Sequence, residues 1–382
     1  MAILFEKPLN LYKYFAVEIY RFDKNYIMNK TSSFLLTVLA YLMLVSCSPR
    51  DRYVVIAGFA QGGTYSVKFN LKGEDGMVEK NVEEIRDSID AILSRIDNSI
   101  SGYNRKSLLS RFNSGQEVVP DRIFIDVFKK GYDLYNETGG VVDVASAPLF
   151  DIWGFGFTRD SLPDASSLDL ALAASGMDRM KHDIGSVIGN EGTISPSSLL
   201  LKDGPLPKLN YNAIAQGYSC DLVASYLYSI GVKDMLVDIG EIFCDGMNPS
   251  GQPWTLGIDR PVDGNDERGA DLQAIFKSPG GPCGIVTSGN YRKYYVKDGR
   301  KYSHSIDPRT GYPVSHSLLS ATIVAQDALT ADAYATYCMV VGLHEAQLFI
   351  EETPGFEGCL IYDEDGQMKT WTSSGFILSP MD

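Results

Sequence analysis

Two short stretches of this sequence hold residue types that could do chemistry. The first, Tyr302-Ser-His-Ser-Ile-Asp-Pro-Arg-Thr-Gly-Tyr-Pro-Val314, puts His304, Asp307 and Arg309 within six residues, where a predicted strand runs into a loop. His304 could act as a general base oriented by Asp307, and Arg309 could hold an anion. The same residues also suit a structural Asp-Pro turn closed by an Arg salt bridge, and the spacing leaves both readings open. The second stretch, Gln326-Asp-Ala-Leu-Thr-Ala-Asp-Ala-Tyr-Ala-Thr336, opens a predicted helix. With Thr330 as its N-cap, Asp332 falls in the first turn and Thr336 one turn later on the same face. A carboxylate and a hydroxyl at i and i+4 make a hard, oxygen-rich half-site of the kind that suits Mg²⁺. The competing reading has Asp332 offsetting the helix dipole while Thr336 is simply buried.

Other chemistries lose ground. The chain has no G-x-G-x-x-G after a strand, no G-x-x-x-x-G-K-[ST], no G-x-S-x-G and no H-E-x-x-H, and it holds only four His. That counts against a Rossmann oxidoreductase, a P-loop nucleotidase and a zinc hydrolase. Its 34 basic residues stand against 48 acidic ones, a net charge of −14 over 382 residues, with no Lys/Arg-rich run. No nucleic-acid partner is expected, because phosphate neutralisation needs clustered positive charge. Partners should be neutral, or reached through a bound cation.

The N-terminal stretch reads as an export signal. Phe34 to Val45 is a twelve-residue apolar run, too short to span a bilayer but the right length for a signal-peptide core. It ends in Leu44-Val45-Ser46-Cys47, which resembles the lipobox of bacterial lipoproteins, and the chain then turns abruptly polar. Met28-Asn29-Lys30 sits where a short positive leader should start, so translation is expected to begin at Met28 and residues 1–27 carry no fold argument. Residues 28–46 are then a lipoprotein signal, Cys47 the lipidated residue and 47–57 a linker to a domain over 58–382. Cleavage leaves 336 residues with 29 basic and 45 acidic side chains, a net charge of −16. The domain is expected on the extracytoplasmic side of a bacterial membrane, held by its lipid. Five further Cys, at 220, 244, 283, 338 and 359, show no C-x-x-C or zinc spacing and are expected as buried free thiols.

The elements that must position the two stretches can also be read. Tyr53–Ala57 and Tyr65–Phe69 look like strands, and Val82, Ile85, Ile89, Leu93 and Ile96 recur at helical spacing. A second helix is predicted over Ile123–Tyr135, broken at Gly139-Gly140, and another over Ala213–Ile230. A short helix is expected within 160–182 and hairpins within 185–208. Strands follow at Met235–Ile239, Trp254–Ile258, Gly284–Thr287 and Ser320–Ala325, with a hairpin about Asp298-Gly299, a helix over Ala331–Val341 and a last hairpin turning at 364–366. Strands and helices mix without strict alternation, so the fold class expected is α+β, mixed sheets with packed helices.

Nine segments, in order, resemble the ApbE family of bacterial FAD:protein FMN transferases. They are Gly62-Gly-Thr-Tyr65, Ser101 to Asn113, Gly139-Gly-Val-Val-Asp143 through Pro148-Leu149 to Trp153-Gly-Phe-Gly156, Ala213-Ile-Ala-Gln-Gly-Tyr218 and Val237-Asp-Ile-Gly240. Pro253 to Ile258, Thr287-Ser-Gly-Asn-Tyr291, Ser303 to Gly311 and Thr330 to Thr336 complete the set. The resemblance implies a T-fold-related architecture and a Mg²⁺-dependent transfer of FMN from FAD to a Thr or Ser hydroxyl of an acceptor protein, releasing AMP. It places Gln61, Tyr103, Val141, Val142, Asp143, Asn210, Gln216 and Ile306 at the flavin, and the carbonyl of Ala213 with Asp332 and Thr336 on the metal. His304 falls where the family has its base. Implied acceptors are exported flavoproteins, or subunits of Rnf-type and Na⁺-translocating NADH:quinone oxidoreductases. The chain departs from the family pattern at Asn210, at Gln216 and at Ile239-Gly240-Glu241, where most relatives read Leu-Gly-Gly. The same site could instead hydrolyse FAD to FMN and AMP, or bind flavin without turnover.

Overall fold

The computed structural model describes residues 52–73, 76–155, 162–179, 194, 207–265, 267, 269–291, 294–297 and 300–379. The leader, Cys47, the Asp298-Gly299 turn and most of the hairpins expected within 185–208 lie outside the described residues. Along the chain the strands are β1 (Tyr53–Ala60), β2 (Gly63–Asn70), β3 (Lys72–Gly73), β4 (Gly76–Met77), β5 (Met235–Asp238), β6 (Ile242–Asp245), β7 (Thr255–Asp259) and β8 (Leu272–Lys277). Then come β9 (Cys283–Gly289), β10 (Tyr294–Lys297), β11 (Arg300–Ser303), β12 (Ile306–Asp307), β13 (Tyr312–Pro313), β14 (Leu318–Ala325), β15 (Glu357–Glu364), β16 (Gln367–Thr372) and β17 (Leu378–Ser379). The helices are α1 (Val82–Ile100), α2 (Leu108–Asn113), α3 (Arg122–Glu137), α4 (Ala147–Ile152), α5 (Ala165–Ala174), α6 (Ala215–Ser229), α7 (Ala328–Val341) and α8 (Leu343–Glu352).

Eight strands form the main sheet in the order β1-β2-β5-β6-β9-β14-β15-β16, and every neighbouring pair is antiparallel. The α+β class holds. Both faces of the sheet are covered, so side chains alternate between two apolar layers. Val67, Phe69, Val237 and Phe243 face α1, α3 and α6, whereas Cys244, Cys283, Ile285 and Ile361 face the small sheet β7-β8-β17 through Trp254, Leu256, Ile258 and Phe276. Ala321, Ile323 and Leu360 pack on α7 and α8.

Local chemistry fixes the ends of these elements. The β1–β2 hairpin turns on Gln61 (φ 52°) and Gly62 (φ 81°), two left-handed residues as a two-residue type I′ turn requires. Helix α1 opens on a capping box, in which the Asn81 side chain accepts from the Glu84 amide and the Glu84 carboxylate from the Asn81 amide, each at 3.0 Å. The helical periodicity read at Ile85, Ile89, Leu93 and Ile96 is this helix's buried face.

The start of α7 corrects the sequence reading. Its N-cap is Asp327, whose side chain accepts from the Thr330 amide at 2.7 Å, so the helix begins at Ala328 and Asp332 lies beyond its first turn. Two glycines let it pack there. A Cβ on Gly217 of α6 would come within 2.3 Å of the Ala328 carbonyl oxygen, and one on Gly284 of β9 within 2.3 Å of the Asp327 backbone.

Candidate functional site

The first turns of α6 act as a hub. Ala213 lies just before the helix, and the Gln216 side chain donates to the Ile239 carbonyl at 3.3 Å. The Gly217 amide donates to Asp332 Oδ2 at 3.1 Å, and the Ser219 hydroxyl accepts from Gln61. Cys220 donates its thiol proton to the Glu241 carbonyl at 3.0 Å. One turn past Gly217, the Asp221 carboxylate accepts the amides of Ala328 and Leu329, each at 2.9 Å. Helices α6 and α7 are therefore clamped in both directions, and the amides that open α7 already have partners. Asp221 and Asp327 take those groups, so they are not available to a ligand.

Beside this hub lies a cleft with about 370 Å³ of open space, lined by Val141, Val142, Asp143, Ser146, Phe150, Asn210, Asn212, Ala213, Ile306, Pro308, Thr336 and Val340. Five residues assigned to the flavin (Val141, Val142, Asp143, Asn210, Ile306) and two assigned to the metal (Ala213, Thr336) thus share one cavity. Asp332 sits below, one helical turn from Thr336, and is only 5% exposed. Gln61 and Gln216 gather at the hub rather than on the cleft wall, and Tyr103 is 68% exposed on the loop between α1 and α2.

The wall is held from several elements. The Asn210 amide donates to the Val144 carbonyl at 2.7 Å, and Asn113 makes paired bonds with the backbone of Leu209 at 2.8 Å. Asp143 accepts from the Ala145 amide at 2.8 Å, and burial pushes its carboxyl up to about 7. On the opposite side, β12 and β13 make a tight hairpin carrying Ile306. Its Gly311 carbonyl accepts from the Trp153 indole at 2.7 Å, and Trp153 also packs on Tyr302 and Tyr312. His304 is half-buried, its ring edge-on to Phe155 at 6.4 Å.

The proposed pairing of His304 with Asp307 is not what the structure contains. Both Asp307 oxygens engage Arg309, Oδ1 accepting from Nε and Oδ2 from Nη2 at 2.9 Å each, and Oδ1 also takes the Arg309 amide at 3.0 Å. The structural turn closed by a salt bridge wins, because residues two apart satisfy each other at less entropic cost than a longer reach. His304 stands on its aromatic bed without that carboxylate.

The donors beneath the cleft fit a hard divalent cation. Burial raises the Asp332 carboxyl, and the Glu241 charge raises it further. Among the described residues no Lys, Arg or His pairs with Asp332. A carboxylate, a hydroxyl and a backbone carbonyl are oxygen donors of the type that Mg²⁺ takes alongside water and substrate phosphate. It is no side-chain cage: among the described residues no group of three or more His, Cys, Asp or Glu is placed to hold a metal.

The model of the ApbE family matches residues 62–360, spanning the hub, the cleft and both chemistry-bearing stretches. The chain belongs to the ApbE family. It is 32% identical to a Vibrio cholerae protein named FAD:protein FMN transferase, covering 90% of this chain and 98% of that one. A Haemophilus influenzae protein of the same name is 31% identical, with 91% and 98% covered. Among solved structures, the flavin transferase ApbE from Vibrio cholerae superposes with a TM-score of 0.69 at 32% identity, covering 85% of this chain and 98% of that one. The flavinyl transferase ApbE from Pseudomonas stutzeri, in its apo form, gives 0.70 at 28% identity, with 85% and 96% covered.

Several residues of this ApbE cleft went unread in the sequence. Val340 is one turn beyond Thr336, and Asn212 two residues beyond Asn210, so both lay within reach of a helical or alternating pattern. Asp221 gave no signal, because its partners are backbone amides 107 and 108 residues away.

Proposed function

We propose that this protein transfers FMN from FAD to a Thr or Ser hydroxyl of an acceptor protein, forming a phosphoester and releasing AMP. The observation that carries the proposal is the single cleft joining Val141, Val142, Asp143, Asn210 and Ile306 to Ala213 and Thr336, with Asp332 beneath. The apolar residues exclude water and receive the flavin ring. Asp143 and Asn210 offer hydrogen bonds to the ribityl or ring polar atoms, and at neutral pH a share of Asp143 keeps its proton and can donate. The family resemblance adds Tyr103, Gln61 and Gln216 to the flavin set, Tyr103 by offering an aromatic surface.

The acceptor hydroxyl attacks the phosphorus of the FMN half. A new P–O bond forms, the bond to the AMP phosphate breaks, and the hydroxyl proton passes to a ring nitrogen of His304. Arg309, held by Asp307, keeps the β12–β13 turn in shape rather than taking the leaving anion. The Ala213 carbonyl, Asp332 and Thr336 would hold Mg²⁺, which would supply charge stabilisation to the pyrophosphate. An acidic chain needs that cation to admit an anionic substrate.

The lipobox at Cys47 and the apolar run before it support an exported protein tethered to a membrane, with acceptors among exported flavoproteins or redox complexes of the Rnf or Na⁺-translocating NADH:quinone oxidoreductase type. Incubation with FAD and Mg²⁺, with and without an acceptor carrying a Thr flavinylation site, tests the activity. Covalent flavin fluorescence on the acceptor together with AMP release is the expected result. AMP without an acceptor would make it an FAD pyrophosphatase, and bound FAD with neither product a flavin-binding protein. His304→Ala should retain FAD binding and lose transfer by roughly 10²–10⁴-fold; unchanged transfer kinetics would remove His304 from the chemistry.

A further inference from the structure

Cys244 and Cys283 face each other on neighbouring strands of the main sheet. They are direct partners in the antiparallel β6–β9 register, and their sulfurs lie 3.6 Å apart. Both are buried, at 0% and 3% exposure, against the small sheet. Of the other buried thiols, Cys359 lies in the same apolar cluster but is paired across the sheet with Thr322 and Thr372, while Cys338 lies within α7 and Cys220 within α6. Directly opposed residues on antiparallel strands bring their Cα atoms to about 4.5–5.5 Å, inside the span a disulfide bridges. The 39-residue separation between the two cysteines contains β7 and β8, with Trp254, Leu256, Ile258, Ala274 and Phe276, all packed on the face from which the two thiols project.

We propose that Cys244 and Cys283 form a structural disulfide that fastens the small sheet to the main one. The bond is made by exchange with a small-molecule or protein disulfide. One thiolate attacks the oxidant's S–S bond and releases one thiol. The second thiolate then attacks the mixed disulfide and releases the other. Two electrons pass to the oxidant, which leaves as two thiols carrying the two S–H protons. The hydrogen bond with Cys283, and then burial, hold Cys244 well above the ordinary cysteine range, so little thiolate exists once the core is closed. The exchange therefore belongs to folding, or to transient opening of the small sheet. The inference does not depend on the transferase reading.

The test maps thiols on the full chain. One sample is unfolded, reduced and refolded with reduced and oxidised glutathione, and a second, never unfolded, is held with excess oxidised glutathione. Both are then alkylated in denaturant, digested and weighed. The expected result is a Cys244–Cys283 peptide pair that separates only on reduction, with label on Cys220, Cys338 and Cys359. Closing a loop of this size should also raise Tm by on the order of 5 °C over the reduced form. Label on both Cys244 and Cys283 in each sample, in protein with its native circular dichroism, would overturn the proposal. So would a joined pair made of any other two cysteines.

Discussion

Asp332 carries a conflict between folding and function. Its carboxylate is buried, receives one amide and feels the negative charge of Glu241, which is costly for a charged group. The same features make it a good cation ligand. Asp332→Asn should therefore abolish Mg²⁺-dependent turnover yet raise the melting temperature by a few degrees in chelator-treated buffer, since an amide keeps the Gly217 bond without the cost of protonating or ionising a buried acid. Thermal melts of both proteins with and without Mg²⁺ check this, and a variant that melts lower in chelator would refute it. The sequence placed Asp332 and Thr336 on one helical face correctly, because a spacing of four is a local rule. It misjudged Asp307 for the opposite reason: whether a carboxylate turns to a His three residues back or an Arg two ahead depends on where the flanking hairpin points each side chain.

At the scale of elements, the legible features were those written in periodic apolar patterns. The expected helices at 82–96, 123–135 and 213–230 and the strand at 320–325 all exist, and differ mainly at their ends. Strands β6 and β8 and helices α2, α4 and α8 were not read, each being four to ten residues long and stabilised by what it packs on. The start of α7 was set three residues too late because Thr330 and Asp327 are both good caps, and only the choice of Asp221 to bind Ala328 and Leu329 decides between them. The α6–α7 crossing hinges on Gly217. In Gly217→Ala the new methyl meets the Ala328 carbonyl, so the helices must separate and Asp332 loses its amide. Urea unfolding should show a loss of about 1–3 kcal/mol, together with a weaker response of stability to added Mg²⁺. Wild-type stability in this variant would mean that the helices can shift freely.

Across the whole molecule, buried acids set how stability follows pH. Burial raises Asp143 and Asp221 to about 7 in the folded protein and raises Asp332 as well, whereas the unfolded chain ionises near 4. Between those limits the native state keeps protons that the unfolded state has lost, so stability declines as pH rises from about 4 to about 7. His316, lowered by burial, opposes this over the upper part of the window, one group against three. Melting in metal-free buffer from pH 5 to 7.5 should fall, and Asp143→Asn combined with Asp221→Asn should flatten the slope; an equal slope in the double variant would refute it. The net charge of −14 acts in the same direction, because self-repulsion grows as these carboxyls ionise.

Helix α7 is buried on several sides at once, by α6, β9, β14 and α8, and its Ala331, Ala333, Ala335, Cys338 and Met339 are all enclosed. The opposite wall rests on a short hairpin whose Arg309, Thr310 and Tyr312 face water. The cleft therefore has one jaw set deep in the core and one jaw at the surface. Under the proposed transfer, an incoming protein loop would deliver its hydroxyl to a phosphate held beside α7. Tolerance for different loop shapes would then reside in the exposed tip at Arg309, Thr310 and Tyr312, and exchanging that tip alone between relatives, with His304 and Ile306 left in place, should change the preferred acceptor without touching the chemistry.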